Sequence, residues 1–597
     1  MWLGPALYPA VAATSHRGAV TVGVGTKLRS VTTFTRRARA IASGSRLCLA
    51  AVLLMNACGA PTVVSRTDAT APRAGGTVVF AAQEPETLHP FRSTGTQTNA
   101  LVYQLAVEGL TAPSPDGSPH AVLALDVPTT ANAGVRLLPD GTMTVQWTLR
   151  PDVRWSDGTP LTSADLSFTW RTVMADPRTT TREGYELITD IETPDERTAL
   201  VRYRAIDAAY ATRFDALLPR HLLEAATEAA VTAYSRAPLG TGPFRITEFV
   251  AGDHITAERN ERYRIAGQPY LDRVIFRFVS SVEAAKAQLR AGEVDAAGSL
   301  GEADAADLES DPLIHVTNVP SPTVEALAFN LTAPGTTAPH PILGDVSVRR
   351  ALVRATPKAL IVQKLLYGRT RPGSSEIPIG WAARSDLVQE TYDPASAVKL
   401  LDDAGWRLAA DGVRTKEGTR LSLRVVSTTG NKLRESIEQV LVDEWRAIGV
   451  ELRIANVPSA VLTGAWQSSG VRKRGDFDLL LAQSGLGVTS SDPQSYLAQR
   501  HTCDAIPRAE NNGAGSNYER FCDARVDRLL TEAGRTLEID RRRELYGQVL
   551  NILNEQAIAI WLYDRGRYDA FRTRVLGYSP NGWNVATWNV AEWYVVR

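Results

Sequence analysis

Apolar positions alternate or recur at helical spacing along most of this chain, and they divide it into short strands and amphipathic helices. Met143, Val145, Trp147 and Leu149 alternate with polar residues, the period of a half-buried strand. Pro139-Asp140-Gly141 supplies the turn before it, and Asp157-Gly158 a second turn after it. Thr162 followed by Asp165 predicts a capping box, with Leu166, Trp170, Val173 and Met174 on one face of the helix it opens. Gly76 to Ala82 and Val274 to Val279 read as short apolar strands. Leu433, Ile437, Val440, Leu441, Trp445 and Ile448 repeat at helical spacing and stop at Gly449, and Val450, Leu452 and Ile454 then alternate. Helix running straight into strand is what an α/β lobe requires. Tyr546, Val549, Leu550 and Leu553 form a further helical stripe that leads into the apolar run Ala557 to Tyr563. No internal repeat is visible, so the lobes are not sequence duplicates.

The N-terminal segment breaks this pattern. Arg36, Arg37, Arg39 and Arg46 precede an apolar run from Leu47 to Ala57 that ends at Cys58. A basic flank, a short apolar stretch and a small residue before cysteine predict a lipoprotein-type secretory signal with lipidation at Cys58. Plain secretion with cleavage nearby is the alternative. The run is too short for a bilayer span, which needs roughly twenty apolar residues. Residues 59–75, rich in Thr, Ala, Pro and Ser, read as a flexible tether. The expected product is extracytoplasmic and held at the membrane surface by lipid. The chain carries 65 Lys and Arg against 65 Asp and Glu, so it lacks the basic face that nucleic acid needs. After the signal only Cys503 and Cys522 are left, and in an oxidising compartment they would close a loop worth about 3 kcal/mol in chain entropy. A disulfide staple is expected there in preference to a metal or redox role.

Several ordered strings carry a resemblance. The stretch Trp147 to Phe168 resembles the signature of extracellular solute-binding proteins that feed oligopeptide and dipeptide ABC transporters, solute-binding protein family 5. Pro85 to Phe91 is similar to the family's loop after its first strand, with His89 where the family carries Asp. Leu101 to Leu110 resembles the helix that ends in Tyr-Glu-Gly-Leu. Leu239 to Phe244 resembles the return to the first lobe, where Gly240 and Gly242 suit a tight turn with positive φ. Arg259 to Tyr263, Pro269 to Asp272, Asp345 to Leu352 and Tyr392 to Trp406 match further blocks, and the likeness runs from about Gly75 to the C-terminus. It implies an α/β, two-lobed periplasmic-binding-protein fold (type II, Venus flytrap) with an extra inserted middle domain. The implied boundaries are 76–117, 237–318 and 562–597 for lobe I, 118–236 for the middle domain and 319–561 for lobe II.

Motifs for catalysis are missing. There is no Gly-x-Ser-x-Gly elbow, no His-Glu-x-x-His, no phosphate-binding loop and no Cys-x-x-Cys, and no cofactor, metal or enzyme activity is expected. The resemblance instead implies a cleft that closes on a peptide-like solute and delivers it unchanged to a permease and its ATPase. A monomer is expected. Carried over residue by residue, the family's contacts fall on Thr94, Gly95 and Thr96 in the first lobe and on Gly485, Leu486, Gly487, Thr489 and Asp492 in the second. Tyr185 is the candidate on the middle lobe. Family members that bind peptides pair an Asp with the peptide's ammonium at the position of Thr489, and a hydroxyl cannot supply that charge. Asp492 either substitutes from nearby or caps the turn before Pro493. A non-peptide solute (sugar, opine or metal chelate) is therefore the alternative ligand. A secreted hydrolase or a cell-surface sensor is the alternative from another class.

Overall fold

The capping box at Thr162 forms as its spacing predicts. Asp165 Oδ2 accepts from the Thr162 backbone N–H at 2.9 Å, and helix Ser163–Ala175 follows. Leu166 and Val173 are buried, while Trp170 and Met174 pack on the same core from partly exposed positions. The helix covers a four-stranded antiparallel sheet in the order Val135–Leu137, Met143–Thr148, Thr198–Tyr203, Ile188–Glu192. This computed structural model describes residues 72–93, 97–180, 182–387, 390–487 and 491–596. Cys58 and all but the end of the expected tether lie outside the described residues, as do Thr94, Gly95, Thr96 and Thr489.

A ten-stranded mixed sheet organises the rest. Its order is Glu451–Ile454, Ser422–Val426, Leu479–Gly485, Ile314–Phe329, Ala559–Arg572, Ala296–Leu300, Thr77–Ala82, Arg273–Phe278, His254–Arg259, Phe244–Val250. Thr77–Ala82 is parallel to both of its neighbours, so three carboxyl ends come together at Ala82, Phe278 and Leu300. Ser422–Val426 is parallel to Glu451–Ile454 and to Leu479–Gly485 in the other half. Thr77–Ala82, parallel to both neighbours, is apolar after Thr77, as a strand covered on both faces requires. One core holds Phe80, Phe276 and Trp593 of the first half together with Trp147 and Phe214 of the four-stranded region. The second half has two, one around Leu423, Leu441 and Trp445 and one around Tyr546, Leu550 and Trp561. The fold is the expected α/β type with an additional sheet. Among the described residues no helix is long and apolar enough to cross a membrane.

Among the described residues, two long strands join the halves of this sheet. The Ile314–Pro320 portion of one pairs with Gly566–Arg572 of the other, beside Ala296–Leu300. Its Val324–Ala328 portion pairs with Ala559–Asp564, beside Leu479–Gly485. Between Pro320 and Val324 the register shifts. Pro320 and Pro322 have no N–H to offer a ladder, so the sequence itself interrupts the pairing there.

One local expectation is corrected. Gly240 and Gly242 do not adopt positive φ. Their missing side chains serve close approach instead: a Cβ on Gly240 would lie 1.8 Å from the Ala106 carbonyl oxygen, and one on Gly242 2.5 Å from that of Leu105. Cys503 and Cys522 are joined by a disulfide. The C-terminal segment returns to the first half, where fully buried Trp593 packs on Phe80, Phe571 and Tyr578 and donates from Nε1 to Asn589 Oδ1 at 3.0 Å. Trp593→Ala should lower the unfolding free energy by about 4 kcal/mol in denaturant titration, because the cavity lies in a core that cannot collapse freely.

Candidate functional site

Crevices in open α/β sheets lie outside the carboxyl ends of the strands. Here a cavity of about 180 Å³ opens where Thr77–Ala82, Arg273–Phe278 and Ala296–Leu300 end. Gln83, Gln97, Leu101, Ser299, Arg567 and Val585 are among its lining residues. Helix Gln97–Tyr103 forms one wall, and it follows directly on the Thr94, Gly95 and Thr96 positions in sequence. Ser299 Oγ donates to Gln97 Oε1 at 3.1 Å, and the Ser299 N–H donates to Asp569 Oδ1 at 3.2 Å. Asp569 is fully buried and also accepts from Arg567 Nε at 3.0 Å and from the Tyr578 hydroxyl at 2.7 Å. The charge of Arg567 is thus matched by that of Asp569, and the wall presents amides, a hydroxyl and apolar groups.

The expected second wall starts at the end of strand Leu479–Gly485. Gly485 has φ +124°, and a Cβ there would lie 2.4 Å from the Pro322 carbonyl oxygen, so only glycine fits. The Leu486 N–H donates to that same oxygen at 3.1 Å, and the Leu486 side chain is buried, whereas Gly487 is exposed. Asp492 Oδ1 accepts from the Gln494 N–H at 3.0 Å and from Arg542 at 2.6 Å. It caps the turn as one of the two expectations had it, and its charge is already paired. Arg542 also donates to the Ala208 carbonyl at 3.2 Å, and the Ala208 N–H donates to the Gly534 carbonyl at 3.1 Å. The four-stranded region and the second half are therefore in contact.

Tyr185 is in the core and not on a cleft wall. Its ring is 5 % exposed, stands edge-on to Phe91 and Phe214, and its hydroxyl accepts from the Phe214 N–H at 2.9 Å. Burial pushes that phenol far above its ordinary range, with Asp215 adding to the effect.

Two buried networks were not anticipated from the sequence. At the interruption of the long strands, fully buried Glu325 accepts from Arg434 Nε and from Arg565, both at 2.6 Å. A single acid inside Val324-Glu325-Ala326-Leu327-Ala328-Phe329 was the available signal, because an isolated charge in an apolar strand must find a partner. Behind Gly485, the Tyr496 hydroxyl lies 2.7 Å from both the Gly485 nitrogen and Ser484 Oγ, and 3.0 Å from Glu376 Oε2. Glu376 Oε1 accepts from His501 Nε2. Burial raises the Glu376 pKa, but the charge and hydrogen bond of His501, then Arg500 and Tyr496, more than offset it and hold the carboxyl below its ordinary value. No group of three or more His, Cys, Asp or Glu among the described residues is arranged to hold a metal.

The model of the bacterial extracellular solute-binding proteins, family 5 Middle, matches residues 136–506, more than half of the chain. The oligopeptide-binding protein AppA of Bacillus subtilis is 25% identical over 450 residues, covering 74% of this chain and 78% of the relative. Di/tripeptide-binding protein 1 of Pseudomonas aeruginosa is 27% identical over 410 residues, covering 66% and 70%. The crystal structure of NikZ from Campylobacter jejuni, in complex with Ni(L-His), superimposes with a TM-score of 0.70 at 24% identity, covering 87% of this chain and 99% of that one.

Two outcomes follow from the pairings. Arg542→Met leaves Asp492 buried without its partner, and chemical denaturation should register a loss of about 3 kcal/mol; adding Asp492→Leu should recover most of it. The Glu376 pKa is depressed in the folded state, so its contribution is complete above about pH 4.5 and is lost as pH falls below that value. Glu376→Gln should therefore flatten the acid side of the stability–pH curve measured by thermal unfolding.

Proposed function

The chain belongs to the bacterial extracellular solute-binding proteins of family 5, and on that premise we propose that it captures a peptide-like solute in its inter-lobe cleft and passes it, chemically unchanged, to the permease and ATPase of an ABC importer. Cys58 would carry the lipid that keeps it at the outer face of the membrane. The observation that carries this reading is the pair of long strands: two sheet halves share only these, and their ladder is interrupted at Pro320–Val324. Such a join lets the halves rotate about one line, and a solute held by both favours the closed arrangement by its preference for it. Thr94, Gly95 and Thr96 would contribute the first wall, beside Gln97 and Ser299. Gly485, Gly487 and Thr489 would contribute the second.

A second reading concerns the ligand. Neither segment 94–96 nor 488–490 contains an ionisable side chain, and Asp492 is paired with Arg542. The ammonium of a free peptide therefore finds no acid at the position where peptide binders of the family carry one. This favours solutes held by amides, hydroxyls and shape, including N-blocked peptides and metal chelates of the kind in the NikZ complex.

Native mass spectrometry of the protein purified without denaturation identifies what co-purifies: a peptide supports the first reading and a chelate or sugar the second. Calorimetry with matched free and N-acetylated tripeptides should give dissociation constants within about threefold of each other, since charge-assisted capture is not being lost. Abolition of binding on acetylation would count against the neutral wall.

A further inference from the structure

We infer that Tyr496 is a positioning residue for the solute-lining segment, and that the buried Glu376–His501 pair exists to hold its hydroxyl. The inference rests on the reading of Gly485 to Asp492 as one wall of the cleft. A phenol offers one proton and two lone pairs. The ionised carboxylate of Glu376 can only accept, so the Tyr496 proton goes to Oε2, at 3.0 Å. The two lone pairs then receive the Gly485 N–H and the Ser484 hydroxyl proton, each at 2.7 Å. Every hydrogen-bonding capacity of that hydroxyl is used.

The pair behind it is costly in itself. The Glu376 and His501 side chains are both completely shielded from solvent, and burying such groups is unfavourable unless their bonds are made. Nothing in packing alone asks for them, since a phenylalanine ring would cover the same part of the core around Leu486 and Leu497. What they achieve is directed at two places, the last residues of strand Leu479–Gly485. There the chain leaves the sheet with Gly485 at φ +124°, and the next N–H, that of Leu486, is tied to the Pro322 carbonyl at the interruption of the long strands. The start of the solute-lining segment is consequently pinned twice, once to Tyr496 and once to the hinge. Removing the Tyr496 hydroxyl frees the first pin, takes away the partner of the half-buried Gly485 N–H and leaves fully buried Glu376 Oε2 without that donor.

Amide hydrogen exchange on the solute-free protein tests this without a ligand. Tyr496→Phe should speed exchange at residues 485–487 by about tenfold or more, the loss of one such bond, with exchange across helix Ile539–Glu555 unchanged. Ser484→Ala, which removes only one of the two donors, should leave the same amides within about twofold of wild type. In parallel, calorimetry with an equimolar set of synthetic peptides of two to nine residues should show binding weakened about tenfold by Tyr496→Phe. Unchanged exchange at 485–487, or acceleration spread evenly over the second half, overturns the inference. Failure of the wild-type protein to bind any of the peptides speaks against the peptide reading alone, and the exchange data still decide what Tyr496 does.

Discussion

Among the described residues two strands carry the connection between the sheet halves, and their pairing shifts register between Pro320 and Val324 and again between Glu325 and Ala326. A ladder resists bending in proportion to its unbroken bonds, so deformation concentrates where they stop. The prolines account for the stop chemically, since neither Pro320 nor Pro322 can donate. On one side of the gap the strands are locked into the first half by Ala296–Leu300, and on the other into the second half by Leu479–Gly485. Glu325 tightens the second of these by holding Arg434, on the helix Lys432–Ala447, and Arg565, on the partner strand.

Charge is handled uniformly around this axis. Asp569 is matched by Arg567, Asp492 by Arg542 and Glu325 by two arginines. Burial forces this economy, because an uncompensated carboxylate at these depths would cost several kcal/mol. It also has a functional consequence. On the proposed function, paired acids of this kind would present no strong point charge, and selectivity would rest on hydrogen-bond geometry and shape. Gln97 and Ser299, fixed on each other and on Asp569, are the kind of preoriented neutral groups such a cleft needs.

The parts of this architecture that depend on local rules were readable in the sequence. The Thr162–Asp165 capping box and the stripe on helix Ile539–Glu555 follow from spacing alone. Motif order then gave the α/β lobes and the family. What escaped was set by contacts between distant residues. Nothing near Gly240 announces that Ala106 will press against it, so its conformation was misjudged while its identity was understood. Tyr185 looked available because an isolated tyrosine carries no sign of the Phe91 and Phe214 rings that enclose it. Glu376 lies more than a hundred residues before Tyr496 and His501, which share one helix, and only the fold makes them one network. Asp492 stood between two readings because its partner, Arg542, lies fifty residues on.

The same distance in sequence is what ties recognition to motion. Leu486 is bonded through its N–H to Pro322, and Gly485 through its N–H to Tyr496, so two adjacent amides of one wall belong to two different mechanical elements. If the halves rotate about the Pro320–Val324 gap, the Pro322 carbonyl moves with the hinge strand while the Tyr496 hydroxyl stays with the second half. The Gly485–Leu486 peptide then has to absorb the difference, and glycine at φ +124° is the residue best able to do so. A solute that bonds to this wall biases that peptide toward one geometry. A ligand shifts a conformational equilibrium only by the difference in its affinity for the two states, and on the proposed function that difference would arise at the Leu486–Pro322 hydrogen bond.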